Sequence, residues 1–248
     1  MPVACTVVAL APDRHDRVRV VIDPAPPEPE EDPPGLREAW AAAQRRNPRL
    51  VDGPILHVRD LDAQARTLRC RASTYKRLAV ADRLPTGVVQ LGIKGLVIGH
   101  DATGRQHVLL GRRGVQTRVY AGQWETAPAG GVDPPRAAAE LGRDDLLAAL
   151  GRESEEELGL ALAPTDCRFV AVVTDPAAHS HDLVVRVEPP EPVDLARRLR
   201  GARRWEYSAT TWVMLTDLGH FLRDQAGAIS PPTRALFAWL GWARPPAG

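Results

Sequence analysis

The chain has 248 residues, with 32 Lys+Arg against 31 Asp+Glu and a formal charge of +1. That balance argues against a nucleic-acid coat protein or a polybasic membrane binder, so neither nucleic acid nor membrane is an expected partner. Apolar residues make up 44% of the sequence, enough to fill the core of one large domain or two small ones. No run approaches roughly eighteen consecutive apolar residues, so no spanning helix is predicted. The opening segment MPVACTVVALAPDRHDR lacks the basic and apolar regions of a secretory signal, which predicts a cytoplasmic protein. Cys5, Cys70 and Cys167 are odd in number and far apart, and they read as reduced, buried thiols.

Taken in chain order, VACTVVAL and VRVVID predict two short β-branched strands. The stretch Pro24–Gly35 is proline-rich and acidic and predicts a solvated linker. Helix formers follow from Leu36 to Arg46. PILHVRDLD and TLRCRASTYKRL predict two more strands. VVQLGIKGLVIGH predicts a buried strand with GRQHVLLGRR as its hairpin partner across Asp101–Gly104. A strand-like GQWETAPAGGV and a loop precede a helix near Asp144–Leu158, closed by Gly159. CRFVAVVTD and DLVVRVE predict strands, DLARRLRGARR a helix and ATTWVMLTD a strand. PTRALFAWLGW closes the chain as a helix entered through Pro231 and Pro232. Strands flanked by helices indicate an α/β sandwich with a mixed sheet.

The chemistry concentrates in GRESEEELGL, residues 151–160. Glu153, Glu156 and Glu157 stand at helical spacings that share one face, and like charges so placed repel. They also lie toward the C-terminal end of the predicted helix, where the macrodipole disfavours negative charge. Two readings are open at this point: a solvated acidic face, or a site for a hard cation such as Mg²⁺, which prefers oxygen ligands. Arg152 could orient one carboxylate through a bidentate contact.

RESEEELGL resembles the second half of the Nudix box, R-E-U-x-E-E-x-G-U with U apolar. Arg152 and Glu153 match its first pair, Glu156 and Glu157 its second, and Gly159 and Leu160 its ending; Ser154 stands where U is expected. The earlier box glutamate falls on Asp144 and the box glycine on Ala138, so a lengthened loop over 134–143 alters the front half. ETAPAGG is similar to the entry phrase of ADP-ribose and nucleoside-diphosphate-sugar pyrophosphatases of that superfamily. DGPILHVRDLD and STYKRLAV look, more weakly, like the leading domain of UDP-sugar pyrophosphatase-like relatives. The resemblance implies an α/β/α Nudix sandwich over 86–248, preceded by a small α+β leading region over 1–85.

It further implies Mg²⁺- or Mn²⁺-dependent hydrolysis of a nucleoside diphosphate joined to another moiety, a nucleotide sugar or an ADP-ribose-like compound. The implied metal ligands are Glu153, Glu156, Glu157 and a backbone carbonyl at Ala129 or Gly130, with Arg152 orienting the carboxylates. The proton acceptor is left open among Glu125, Glu153, Glu188 and Glu206, with Glu206 favoured. Two alternatives are a non-hydrolytic nucleotide-binding regulator and an isomerase of the isopentenyl-diphosphate type, although neither Cys70 nor Cys167 stands in such a motif. A homodimer is a candidate assembly. Outside the box, Arg112, Arg113 and Arg118 could meet a diphosphate or simply be solvated. His179 and His181 form an H-x-H pair read mainly as a surface loop. Trp124 is read as core or cleft rim, and the run Arg197–Arg204 as an exposed helix face.

Overall fold

A computed structural model describes residues 4–13, 15–24, 31–195, 199, 201 and 205–242. The elements are β1 (Thr6–Ala9), β2 (Arg19–Ile22), α1 (Leu36–Arg46), β3 (Pro54–Asp62), β4 (Thr67–Thr74), α2 (Tyr75–Ala79), β5 (Gln90–His100) and β6 (Gln106–Arg113). They continue with β7 (Trp124–Thr126), β8 (Ala129–Gly131), β9 (Glu140–Leu141), α3 (Arg143–Leu158), β10 (Cys167–Asp175), β11 (Ser180–Val187), β12 (Tyr207–Met214), α4 (Leu218–Asp224) and α5 (Pro231–Trp239). Among the described residues no helix is long and apolar enough to cross a membrane.

β5 is the strand on which the fold turns. Over Gln90–Val97 it runs parallel to β11, over Gly92–Lys94 antiparallel to β8, and over Ile98–His100 antiparallel to β6. The main path of the mixed sheet is β1-β10-β11-β5-β3-β4-β2-β9, with β12, β6 and β7 branching from the far end of β5. Period-two alternation sorts its side chains into two cores. Leu91, Ile93 and Val97 cluster with Leu183, Val185 and Val187 of β11 and with Leu146, Leu147, Leu150 and Leu158 of α3. Leu96 and Ile98 cluster instead with Val184, Leu218 and Leu222 of α4, and Leu236 and Phe237 of α5. The result is the expected α/β/α sandwich with a mixed sheet.

Several expectations are adjusted. The strand through TLRCRASTYKRL stops at Thr74, and α2 follows, because the Tyr75 and Lys76 amides are taken by Gly53 O and Asp52 Oδ1 and Arg77 is buried against Asp32. GQWETAPAGGV is two strands, interrupted at Ala127–Pro128, where proline offers no ladder donor. The lengthened loop carries β9, which pairs with β2 and is fastened by an Arg19–Glu140 bidentate pair at 2.7 Å. α4 went unread in the sequence. Most of the predicted helix over DLARRLRGARR, including all of its arginines, and residues 25–30 of the linker lie outside the described residues. Cys70 and Cys167 are buried free thiols, while Cys5 is only half-buried.

The leading residues share the sheet with the rest: β1 pairs with β10, and β3 meets β5 at His57 and Gln90. A chain beginning at Thr86 would therefore leave the outer edge of β10 and the β5 flank uncovered. We expect it to be aggregated or to bind a hydrophobic dye, as gel filtration and dye fluorescence would report. A soluble, cooperatively unfolding truncation would show instead that residues 1–85 are dispensable to the fold.

Candidate active site

The buried face of α3 begins apolar and ends acidic. Leu146 and Leu150 occupy it in the first turns, and Glu153 and Glu157 continue the same stripe, 5% and 4% exposed, while Glu155 points to solvent. A solvated acidic face is thereby excluded for these two carboxylates. Ser154, at the position where the motif wants an apolar residue, is fully buried and donates its hydroxyl to Leu160 O at 2.6 Å. Gly159 closes the helix in the left-handed region, φ 63°, as its position in the sequence predicted.

Across from α3 lies the ETAPAGG turn. The Ala129 amide donates to Glu157 Oε2 at 3.0 Å, and a Cβ at Gly130 would overlap the Glu153 carboxylate. The first glycine of the phrase is thus required by the close approach of strand and helix. Arg152 donates to Glu153 Oε1 at 2.9 Å and reaches Asp133 at 3.2 Å, which fixes the Glu153 carboxylate as the motif suggested. Glu206, in the turn before β12, completes the group. Glu153, Glu157 and Glu206 each present an oxygen, all within 4.8 Å of one another.

Glu156 is half-buried and stands outside that trio, and Asp144 is farther still, its side chain 96% exposed in the first turn of α3. Glu188 is exposed and paired with Arg186 at 2.7 Å. The histidines do not converge: His179 Nε2 faces Asp82 at 3.1 Å and His181 Nδ1 faces Thr174 at 3.0 Å. Trp124 packs edge-on against Phe221 at 5.7 Å, on the α4 side of the sheet.

Burial, and then the neighbouring Glu206 carboxylate, push the Glu157 carboxyl well above its ordinary range. The donor set fits a hard divalent cation. It is all carboxylate oxygen, with no sulfur or imidazole, and it crowds like charges that a cation would neutralise.

Glu206, alone of the trio, lines a cleft of about 500 Å³, and the Ala129–Gly130 turn that packs on Glu153 and Glu157 lines it too. So do Lys94, Arg113, Arg118 and the segment Asn47–Val51 that follows α1. That segment is held by Asn47 Nδ2 donating to Gln116 O at 2.9 Å and by Arg49 lying 5.2 Å from the centre of the Trp205 ring. Glu125 is buried beside the cleft and bonded to Lys94 at 3.2 Å, to Arg113, and to the Tyr207 hydroxyl at 3.1 Å. Burial opposes its ionisation, yet Arg113 and Lys94 outweigh that and hold it down at about 2. Lys94 also reaches Asp182 at 3.7 Å. The sequence had offered Glu125 as a free base; its lone pairs are instead taken up by two cations and a phenol. Lys94 and Asp182, spaced far apart in the chain, gave no sequence signal of their own.

Two buried carboxylates and the half-buried Glu206 thus converge beside the cleft, in an arrangement suited to a cation. The chain belongs to the NUDIX domain family, whose model matches residues 96–240, and is a Nudix pyrophosphohydrolase by class. Its fold is similar to that of a NUDIX hydrolase from Alicyclobacillus acidocaldarius, at 19% identity over 60% of this chain and 90% of that one, TM-score 0.44. It is likewise similar to the NUDIX domain of Shewanella oneidensis NrtR, solved with ADP ribose, at 15% identity over 65% and 94% of the two chains, TM-score 0.44. A MutT/nudix family protein from Enterococcus faecalis aligns at 16% identity over 50% of this chain, TM-score 0.37, and the match spans 43% of that longer protein. Among curated proteins no sequence matches this chain.

The Glu125 cluster makes a stability prediction. Glu125→Gln removes the carboxylate shared by Arg113 and Lys94 and leaves Lys94 only its longer contact to Asp182, so we expect a loss of about 3–5 kcal/mol in urea unfolding near neutral pH. The folded pKa, about 2, lies below the ordinary 4.5, so ionised Glu125 stabilises the fold above that ordinary value. The stabilisation is lost as pH falls from 4.5 toward 2, and the gap between parent and variant should close over that window.

Proposed function

We propose that the chain hydrolyses the diphosphate linkage of a nucleoside diphosphate joined to another moiety, of the nucleotide-sugar or ADP-ribose type. The observation that carries this reading is the convergence of Glu153 and Glu157 with Glu206, which lines the cleft. The cleft volume suits a ligand of that size, and the ETAPAGG phrase supports the substrate class.

Glu153 and Glu157 would hold a divalent cation, Mg²⁺ or Mn²⁺, with Glu156 on the next helix position as a further donor. Bound there, the cation supplies charge neutralisation at the diphosphate oxygens and acidifies the attacking water. Arg152 keeps Glu153 aimed at the cleft, and the Ala129 amide does the same for Glu157. Ala129 thus contributes through its N–H. Glu206, less buried than its two neighbours and lining the cleft, takes the proton of the water that attacks phosphorus.

Two outcomes test the assignment. The raised Glu157 pKa means that folding without a cation loses stability as pH rises beyond the ordinary 4.5, through the folded value. Added Mg²⁺ at pH 8 should therefore raise the parent's Tm and leave that of Glu157→Gln nearly unmoved, while the variant's turnover falls by orders of magnitude. Equal Mg²⁺ stabilisation of both proteins would remove Glu157 from the cation site, and Glu155→Gln is the exposed control.

Glu206→Gln should lower turnover and abolish the acidic limb of the pH–rate profile while Mg²⁺ affinity stays as in the parent. Loss of Mg²⁺ affinity would make it a ligand instead and return the base to Glu153. The substrate itself is read from phosphate release on ADP-ribose, UDP-glucose, NADH, diadenosine polyphosphates and nucleoside triphosphates, with and without Mg²⁺.

A further inference from the structure

The three arginines ahead of the glycine turn have three different fates. Arg113 is committed to Glu125, with its Nε on Val119 O at 2.9 Å. Arg112 is exposed, donates its Nε to Gly122 O at 2.9 Å, and takes no part in the cleft wall. Arg118 lines the cleft, and its Nη2 donates to Ala178 O at 2.6 Å. Its Nη1 is buried and has no hydrogen-bond partner, and no carboxylate pairs with it among the described residues. Of the other cleft cations, Lys94 is paired with Glu125 and Asp182 and Arg113 with Glu125, while Arg49 is exposed and lies over the Trp205 ring.

The guanidinium is also held in place. Ala178, its anchor, has its own amide on Asp175 at 3.1 Å. Two residues beyond Arg118, the Tyr120 hydroxyl donates to the same carboxylate at 2.8 Å. At the root of the loop, the Gly114 amide donates to Glu206 O at 2.7 Å, so the strap bearing Arg118 and the turn bearing Glu206 are joined. A fixed guanidinium with an idle donor and no paired carboxylate suits an external oxyanion, and its planar fork matches a phosphoryl group.

We propose that Arg118 reads the second phosphoryl group of a diphosphate whose first lies at the Glu153–Glu157–Glu206 trio. This rests on the hydrolase reading above and adds to it the residue that separates diphosphates from monophosphates. Arg118 is a binding residue and takes no proton.

The test is calorimetric titration of the full chain with methylenediphosphonate, a diphosphate that cannot be hydrolysed, against inorganic phosphate, both in Mg²⁺, and with Mg²⁺ alone. In the parent, the diphosphonate should bind at least about tenfold tighter than phosphate. Arg118→Gln should weaken the diphosphonate by roughly 10- to 100-fold, the range of a charged hydrogen bond, and leave phosphate and Mg²⁺ affinities unchanged. Arg118→Lys should recover part of the loss, and Arg112→Gln should lose nothing. If Arg118→Gln does not fold, Arg118→Lys decides: a weaker diphosphonate with unchanged phosphate supports the proposal, and equal affinities overturn it. An unchanged diphosphonate affinity in Arg118→Gln, or an equal loss of phosphate or Mg²⁺, also overturns it. Where Glu157→Gln loses the diphosphonate and Arg118→Gln keeps it, Arg118 alone falls; a parent that does not bind the diphosphonate removes the hydrolase reading as well.

Discussion

The constraint that orders this molecule is the burial of two like-charged carboxylates in the last turns of a helix. Glu153 and Glu157 occupy positions that the stripe of α3 reserves for core residues, and the macrodipole at that end is unfavourable to them. They can be there only because their surroundings are built for it. Gly130 withholds the Cβ that would displace Glu153, and the Ala129 amide supplies a donor to Glu157. The backbone also closes over the helix end, where the Gly201 amide reaches Glu157 O at 3.0 Å. Each arrangement places strand, turn or helix with respect to the others, so the geometry of the fold around α3 is largely the geometry needed to accommodate those charges.

Two carboxylates a few residues from the same cleft end up in opposite electrostatic states, and the contrast separates structure from chemistry. Glu125 is buried between Lys94 and Arg113 and accepts from Tyr207; its charge is satisfied, and it ties β5, β6, β7 and β12 together. Glu157 is equally buried but its partners are the Ala129 amide and the Glu206 carboxyl, with no cation paired to it among the described residues. A folded protein gains nothing from the second arrangement by itself. Burial and the facing carboxylate raise the proton affinity of Glu157, Arg113 and Lys94 depress that of Glu125, and only the Glu157 arrangement leaves negative charge that a cation would neutralise.

Much of this was legible in the sequence, for identifiable reasons. α1 and α3 and the β5–β6 hairpin follow from local signals: a breaker before Leu36, Gly159 as a cap, Asp101 and Gly104 as turn residues. The R-E-x-x-E-E spacing encodes one helix face, so Arg152, Glu153 and Glu157 could be read without a structure. Glu206 was readable only as a weak candidate, because its place in the trio depends on a turn joined to Gly114 across the fold. What misled was local likeness without tertiary context. Thr74 onward alternates like a strand, yet Asp52 and Asp32 recruit Lys76 and Arg77 into a short helix. Asp144 aligned with the box glutamate by counting, but β9 absorbs residues within the loop and leaves Asp144 in water. Lys94 carried no motif at all; only pairing β5 with β11 brings it to Asp182, and only the turn into β7 brings it to Glu125.

The leading residues therefore bear on the chemistry at two separate points. Through the Arg19–Glu140 pair and the β2–β9 ladder they anchor the lengthened loop that joins the glycine turn to α3. Through Asn47–Val51 they form one rim of the cleft, with Arg49 over Trp205, the residue next to Glu206. The carboxylate trio itself comes from α3 and the turn before β12. On the proposed reading, specificity and chemistry fall to different stretches of chain: the helix and its facing turn would hold the cation and the phosphorus, while the loop at Arg118 and the rim after α1 would bound what extends beyond them. A change in the leading residues could then alter which molecule enters while leaving the carboxylates undisturbed, and a change in α3 would do the reverse.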